Sequence, residues 1–115
     1  MSQRKYMVLL RSQPGQGQGQ APSPEQMQKM YAAFNAWKEK YKNEILDMGG
    51  KLKPEGKVLR TSGVADGPFV EGKEIVGGFM IVGATDYDGA VRVASECPAV
   101  LAPGTSLEIR EMVTM

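Results

Sequence analysis

Two stretches of this chain set large apolar side chains at consecutive positions, which a strand with one face in water does not do. In Arg4 to Arg11, Tyr6, Val8 and Leu10 point to one face while Met7 and Leu9 point to the other. In Glu74 to Ala84, Ile75, Phe79 and Ile81 share one face and Val76, Met80 and Val82 the opposite one. A strand that is apolar on both faces belongs in the middle of a sheet covered on both sides. The chain must therefore find two covers for one sheet.

A chain of 115 residues fits a single domain. Its helices supply one cover. Ser23-Pro24-Glu25-Gln26 reads as a helix start, with Ser23 as cap, Pro24 at the first helical position and Gln26 completing a capping box. Met27, Met30, Tyr31, Phe34, Trp37, Tyr41, Ile45 and Met48 then recur at three- and four-residue intervals, predicting a helix to about Met48 that Gly49-Gly50 ends. A second helix opens at Thr85-Asp86-Tyr87-Asp88 with Asp86 as cap; Ala90, Val91, Ala94 and Cys97 form its buried stripe and Pro98 stops it.

Between the helices, Pro54-Glu55-Gly56 signals a turn after a short strand or connector, and a strand follows to about Ser62. Asp66-Gly67-Pro68 makes the next turn, and Leu107 to Val113 alternates as a last strand. The Gln/Gly/Pro segment Ser12 to Ser23 has nothing to bury and reads as a mobile loop within the one domain. The order is β-α-β-β-α-β, an α+β chain of the ferredoxin-like, split βαβ kind, with two helices on one face of an antiparallel sheet. The other face needs a second copy, sheet against sheet in a two-fold dimer, with Met7, Leu9, Val76, Met80 and Val82 expected on one side and Val8, Leu10, Phe79 and Ile81 on the other.

The charge balance, 14 basic against 13 acidic residues for a net +1, gives no field that would draw nucleic acid or an anionic membrane. Histidine is absent, which removes imidazole bases, Ser-His-Asp triads and most zinc sites, and no cofactor or metal is expected. Cys97 is the single cysteine, in keeping with a reducing compartment, and the apolar run Tyr6 to Leu10 is too short for a membrane span or secretory segment; the expected location is the cytoplasm.

Several side chains are candidates for chemistry. Asp66 is either a pocket carboxylate made basic by burial beside Phe69 or the side chain that bonds the Gly67-Pro68 turn backbone. Glu71, Lys73 and Glu74 either bind a small polar ligand with Arg60 or form a solvated hairpin with weak ion pairs. Gly77-Gly78 inside an apolar strand marks a ligand's close approach, a bulge or tight packing under Trp37 or Phe34. Cys97 is a buried apolar group or a reactive thiol. The methionines and the stripe Phe34, Trp37, Tyr41 are core and interface, or else line a hydrophobic ligand cleft between helix and sheet. The spaced glycines Gly15, Gly17 and Gly19 lack the helix and the acidic residue that a dinucleotide loop needs.

Lys5-Tyr6-Met7-Val8-Leu9-Leu10, Asp66-Gly67-Pro68-Phe69, Glu71, Lys73-Glu74, Gly77-Gly78-Phe79, Asp86-Tyr87-Asp88, Cys97-Pro98 and Glu108-Ile109-Arg110 together resemble the YCII-related family, in particular its DGPF-containing branch. The resemblance implies a ferredoxin-like fold paired into a dimeric α/β barrel, in a bacterial protein of undefined activity. Some family members place a His and an Asp in a cleft, but this chain has no histidine to match. DGPF-branch relatives beside sigma factors imply an accessory or regulatory role. The expected function is a homodimeric ligand-binding or accessory module with a cleft near Asp66, Phe69 and Glu74 that reaches Tyr6 and Arg11. The alternative is a lyase- or isomerase-like enzyme with Asp66 or Glu74 as base and Arg60 or Lys73 as electrostatic partner.

Overall fold

The computed structural model describes residues 3–12, 23–67, 74–101 and 104–113. Strand β1 (Arg4–Ser12) leads to helix α1 (Pro24–Lys40), then strands β2 (Ile45–Lys51), β3 (Gly56–Arg60), β4 (Gly63–Gly67) and β5 (Ile75–Ala84). Helix α2 (Tyr87–Ser95), a 3-10 turn (Pro98–Leu101) and β6 (Thr105–Glu111) complete it. Four strands form an antiparallel sheet in the order β2-β5-β1-β6, and β3 and β4 pair apart from it as a two-stranded ribbon. That order is the ferredoxin-like α+β arrangement with a hairpin inserted between its second and third strands. Of the expected Gln/Gly/Pro loop from Ser12 to Ser23, Ser12 ends β1 and Ser23 caps α1, and residues 13–22 lie outside the described residues.

The two apolar strands are indeed central: β1 lies between β5 and β6, and β5 between β1 and β2. Register sorts their faces differently from the expected grouping. Val82 stands opposite Tyr6 and Met80 opposite Val8, so Met80 and Val82 belong to the helix-covered face. Ile81 pairs with Met7 and Phe79 with Leu9, and these four share the other face. Alternation along one strand cannot reveal which of its faces matches which face of a neighbour; only pairing does. A bulge where Leu10 meets Gly78 and Arg11 meets Val76 skips Gly77, accounting for a glycine within an apolar strand.

Helix α1 begins as its sequence dictates. The Ser23 hydroxyl accepts from the Gln26 amide at 3.2 Å, and the Gln26 side chain accepts from the Ser23 amide at 2.9 Å. It ends earlier than its apolar spacing predicts. The Tyr41 amide closes the last turn on the Trp37 carbonyl, and the Tyr41 carbonyl accepts from the amides of Glu44 and Ile45. The chain then turns into β2, where Ile45 pairs with Val82 and the Gly83 amide donates to the Glu44 carbonyl at 2.6 Å. Ladder bonds to β5 thus override the helical repeat. The sheet's second strand is Ile45–Lys51 rather than the stretch ending at Ser62, and Asp66-Gly67 ends β4 instead of opening a turn there.

The core joins Tyr6, Val8, Val82 and Ala84 of the sheet to Trp37 of α1 and to Ala90, Val93, Ala94 and Cys97. Those last four recur at the spacing of one helix face, and the two alanines let α2 approach the sheet closely. Val91, expected in that stripe, is 48 % exposed whereas Val93 is 3 % exposed, because Val91 lies one residue, about 100°, round from Ala90. Asp86 caps α2 as expected, its carboxylate accepting from the Gly89 amide at 2.8 Å.

Candidate functional site

Only Trp37 among the residues of α1 is buried. Its indole N–H donates to the Val93 carbonyl at 2.9 Å, its ring meets Phe34 edge-on at 6.2 Å, and it fixes the C-terminal half of the helix. One turn on, the Lys40 ammonium lies 2.6 Å from the Glu96 carboxylate, and the Tyr41 hydroxyl donates to the same group. The N-terminal half stands away from the sheet. Met27, Met30 and Tyr31 are 42, 52 and 63 % exposed although they lie on the inward stripe.

Beneath them opens a cleft of about 650 Å³, walled by α1 on one side and by β1, β2, β5 and β6 on the other. That is within the range of small-molecule sites. Tyr31, Phe34 and Trp37 present rings from the helix, Met48 and Met80 present thioethers from the sheet, and Cys97 lies at the inner end. Gly78 belongs to the floor; a Cβ there would come within 3.2 Å of the Gly50 carbonyl, so glycine allows β2 and β5 their close approach. Burial pushes the Cys97 thiol up from its ordinary value, so it stays protonated at neutral pH and adds apolar surface.

Phe34 and Trp37 line it as the cleft reading of the aromatic stripe expects, with Gly78 and Cys97, whereas Tyr6, Arg11, Arg60, Asp66 and Glu74, the residues expected to bind or react, are not part of its lining. Asp66 is on the β3–β4 ribbon, 86 % exposed and paired with Lys57. Arg60 is on the same ribbon, opposite Gly63. Tyr6 is fully buried beneath α2, edge-on to Tyr87 at 4.8 Å; burial and the Glu111 carboxylate raise its phenol above the ordinary value while Arg4 pulls it down. Phe69, Glu71 and Lys73 lie outside the described residues.

Two of the expected residues do meet. The Arg11 guanidinium lies 2.7 Å from Glu108 and 4.0 Å from Glu74, and the Ser106 hydroxyl donates to Glu74 at 3.3 Å. Arg11, Ser106 and Glu108 occupy the sheet face away from the helices, where the pairing of Arg11 with Ser106 and of Leu9 with Glu108 puts them side by side. The cluster ties β1, β5 and β6 together at one end of that face.

The model of the YCII-related domain matches residues 4–114, from the first residue of β1 to beyond the end of β6. The chain belongs to the YCII-related family. No curated protein matches it. The match takes in every element that walls the cleft of this YCII-related protein, and among the described residues no helix is long and apolar enough to cross a membrane and no group of His, Cys, Asp and Glu is arranged to hold a metal ion.

The Glu96 anchor carries a pH dependence of known sign. The hydrogen bonds from Lys40 and Tyr41 hold the Glu96 carboxyl below its ordinary 4.5. A carboxyl depressed in the folded state contributes stability above its unfolded value and sheds it as pH falls through the folded value. Glu96→Gln therefore melts below the parent at neutral pH, and in a series of thermal melts the gap closes as pH falls through the depressed value of the folded carboxyl. A gap that is independent of pH would remove the ionic part of this anchor.

Proposed function

We propose that this YCII-related protein is a small-ligand-binding module that holds a predominantly apolar molecule between α1 and the sheet. The observation that supports it is the cleft itself: rings and thioethers from one helix and several strands converge on an open space of about 650 Å³ instead of closing into core. An ordinary two-layer packing would have buried Met27, Met30 and Tyr31. Trp37, the only tryptophan, lies at the wall and reports occupancy directly. Titration with the neutral probe decanol, below its solubility limit, is expected to shift Trp37 emission and raise Tm in proportion to occupancy. Unchanged emission and Tm with saturating probe would remove the reading.

The lyase- or isomerase-like alternative has less behind it. It asks for a carboxylate enclosed beside a substrate, whereas Asp66 stands in solvent and Glu74 is engaged by Arg11 and Ser106 on the opposite face of the sheet from the cleft. The Asp66-Gly67-Pro68-Phe69 run and the family's fold support placing the protein in the DGPF branch, as a bacterial, cytoplasmic protein of accessory or regulatory role.

The module works as a homodimer paired through the face that the helices leave open. Met7, Leu9, Phe79 and Ile81 form an apolar strip there across β1 and β5, and the Arg11, Glu74 and Glu108 cluster edges it with charge. A self-complementary patch of about 800 Å² per subunit suffices for a stable two-fold pair. Sedimentation is expected to show a dimer at micromolar concentration, and Ile81→Arg a monomer that keeps the native circular dichroism. A monomeric parent chain would end the dimer proposal and leave the cleft untouched.

A further inference from the structure

Among the described residues that line the cleft, Lys51 is the one charged side chain. Lys51, the last residue of β2, stands opposite Gly78, and Gly78 also stands opposite Leu10, which lines the cleft. Directly opposed residues share a sheet face, so the Lys51 side chain rises on the cleft side, at the edge strand where the space opens to solvent. Among the described residues no Asp or Glu lines the cleft, and no carboxylate forms an ion pair with Lys51.

We infer that the ligand is an amphipathic anion, with an apolar body against Tyr31, Phe34 and Trp37 and a carboxylate or comparable acidic head at Lys51. The inference rests on the ligand-binding reading above and adds the charge class to it. A cationic head at this mouth would meet Lys51 with no carboxylate among the described residues lining the cleft to offset it. A neutral head would gain nothing from the ammonium. An anionic head gains an ion pair beside an apolar wall, where the field is less screened than at an open surface.

Decanoate, decanol and decylammonium, used below the concentrations at which they self-associate, share one chain and differ in head charge. Binding is read from Trp37 emission and from Tm. Decanoate is expected to bind at least about threefold tighter than decylammonium, with the difference shrinking in about 0.5 M salt. Lys51→Gln is expected to weaken decanoate about three- to fivefold and to leave decanol unchanged. Lys51→Glu is expected to reverse the order of decanoate and decylammonium. Lys51 is exposed on an edge strand, so neither substitution disturbs the core. If Lys51→Gln alters decanoate and decanol equally, or alters neither, the anion assignment fails while the apolar cleft stands. If none of the three probes moves Trp37 emission or Tm, the cleft reading fails and the anion assignment goes with it.

Discussion

Trp37→Ala is expected to lower unfolding stability by about 3–5 kcal/mol, a large share of what a domain of this size has in total. Trp37 is 4 % exposed and is the only buried residue of α1. Its loss leaves a cavity between α1, α2 and the sheet and strips the Val93 carbonyl of its indole donor. The helix would then be held by the partial packing of Phe34 and Tyr41 and by the Lys40 and Tyr41 contacts to Glu96, which are exposed and contribute little. Urea denaturation followed by circular dichroism measures the effect, with midpoint falling and slope retained. Trp37→Phe separates the two causes: it keeps most of the ring and loses the donor, for about 1–3 kcal/mol. Equal losses for the two variants would assign the whole effect to the hydrogen bond and deny the packing role.

The second large effect is expected at Gly49→Val. Gly49 has φ of 61°, a left-handed conformation that a β-branched side chain adopts only under strain. A Cβ there would also lie 2.7 Å from the Phe79 carbonyl carbon and closer still to its oxygen, so β2 would have to part from β5. Backbone strain and collision together are expected to cost about 3 kcal/mol or more. Gly50→Ala is the control, because nothing lies within 4 Å of a Cβ at that neighbouring position. Since β2 carries Met48 and Lys51, Gly49→Val is also expected to abolish the response of Trp37 to decanoate. Retained stability in Gly49→Val would mean that β2 is free to slide on β5, and the placement of Lys51 would fall with it.

Much of this architecture is legible in the residues themselves. The capping box at Ser23 and Gln26, the Asp86 cap and the doubly apolar character of β1 and β5 are local properties, and local physics decides them. The end of α1 is not local. Tyr41, Ile45 and Met48 keep a three- and four-residue spacing that suits a helix, yet Ile45 and Met48 serve a strand because β5 offers an unpaired edge. Lys42-Asn43-Glu44, an apolar-free run with asparagine at its centre, was the available sign of the turn. The cleft was visible as the stripe from Met27 to Trp37 and as Gly77-Gly78, but nothing in one helix states how far it stands from a sheet. Attention to charged residues instead pointed to Asp66, which the hairpin carries into solvent.

Fixing one end of α1 and leaving the other lightly held has a kinetic corollary. The amides around Trp37 are expected to exchange with deuterated solvent only on global unfolding, while those near Met27 and Met30 exchange through local fraying that leaves the sheet intact. Entry to the space beneath would then be timed by the breathing of a few helical turns, and an occupant's escape would be slowed by whatever stills them.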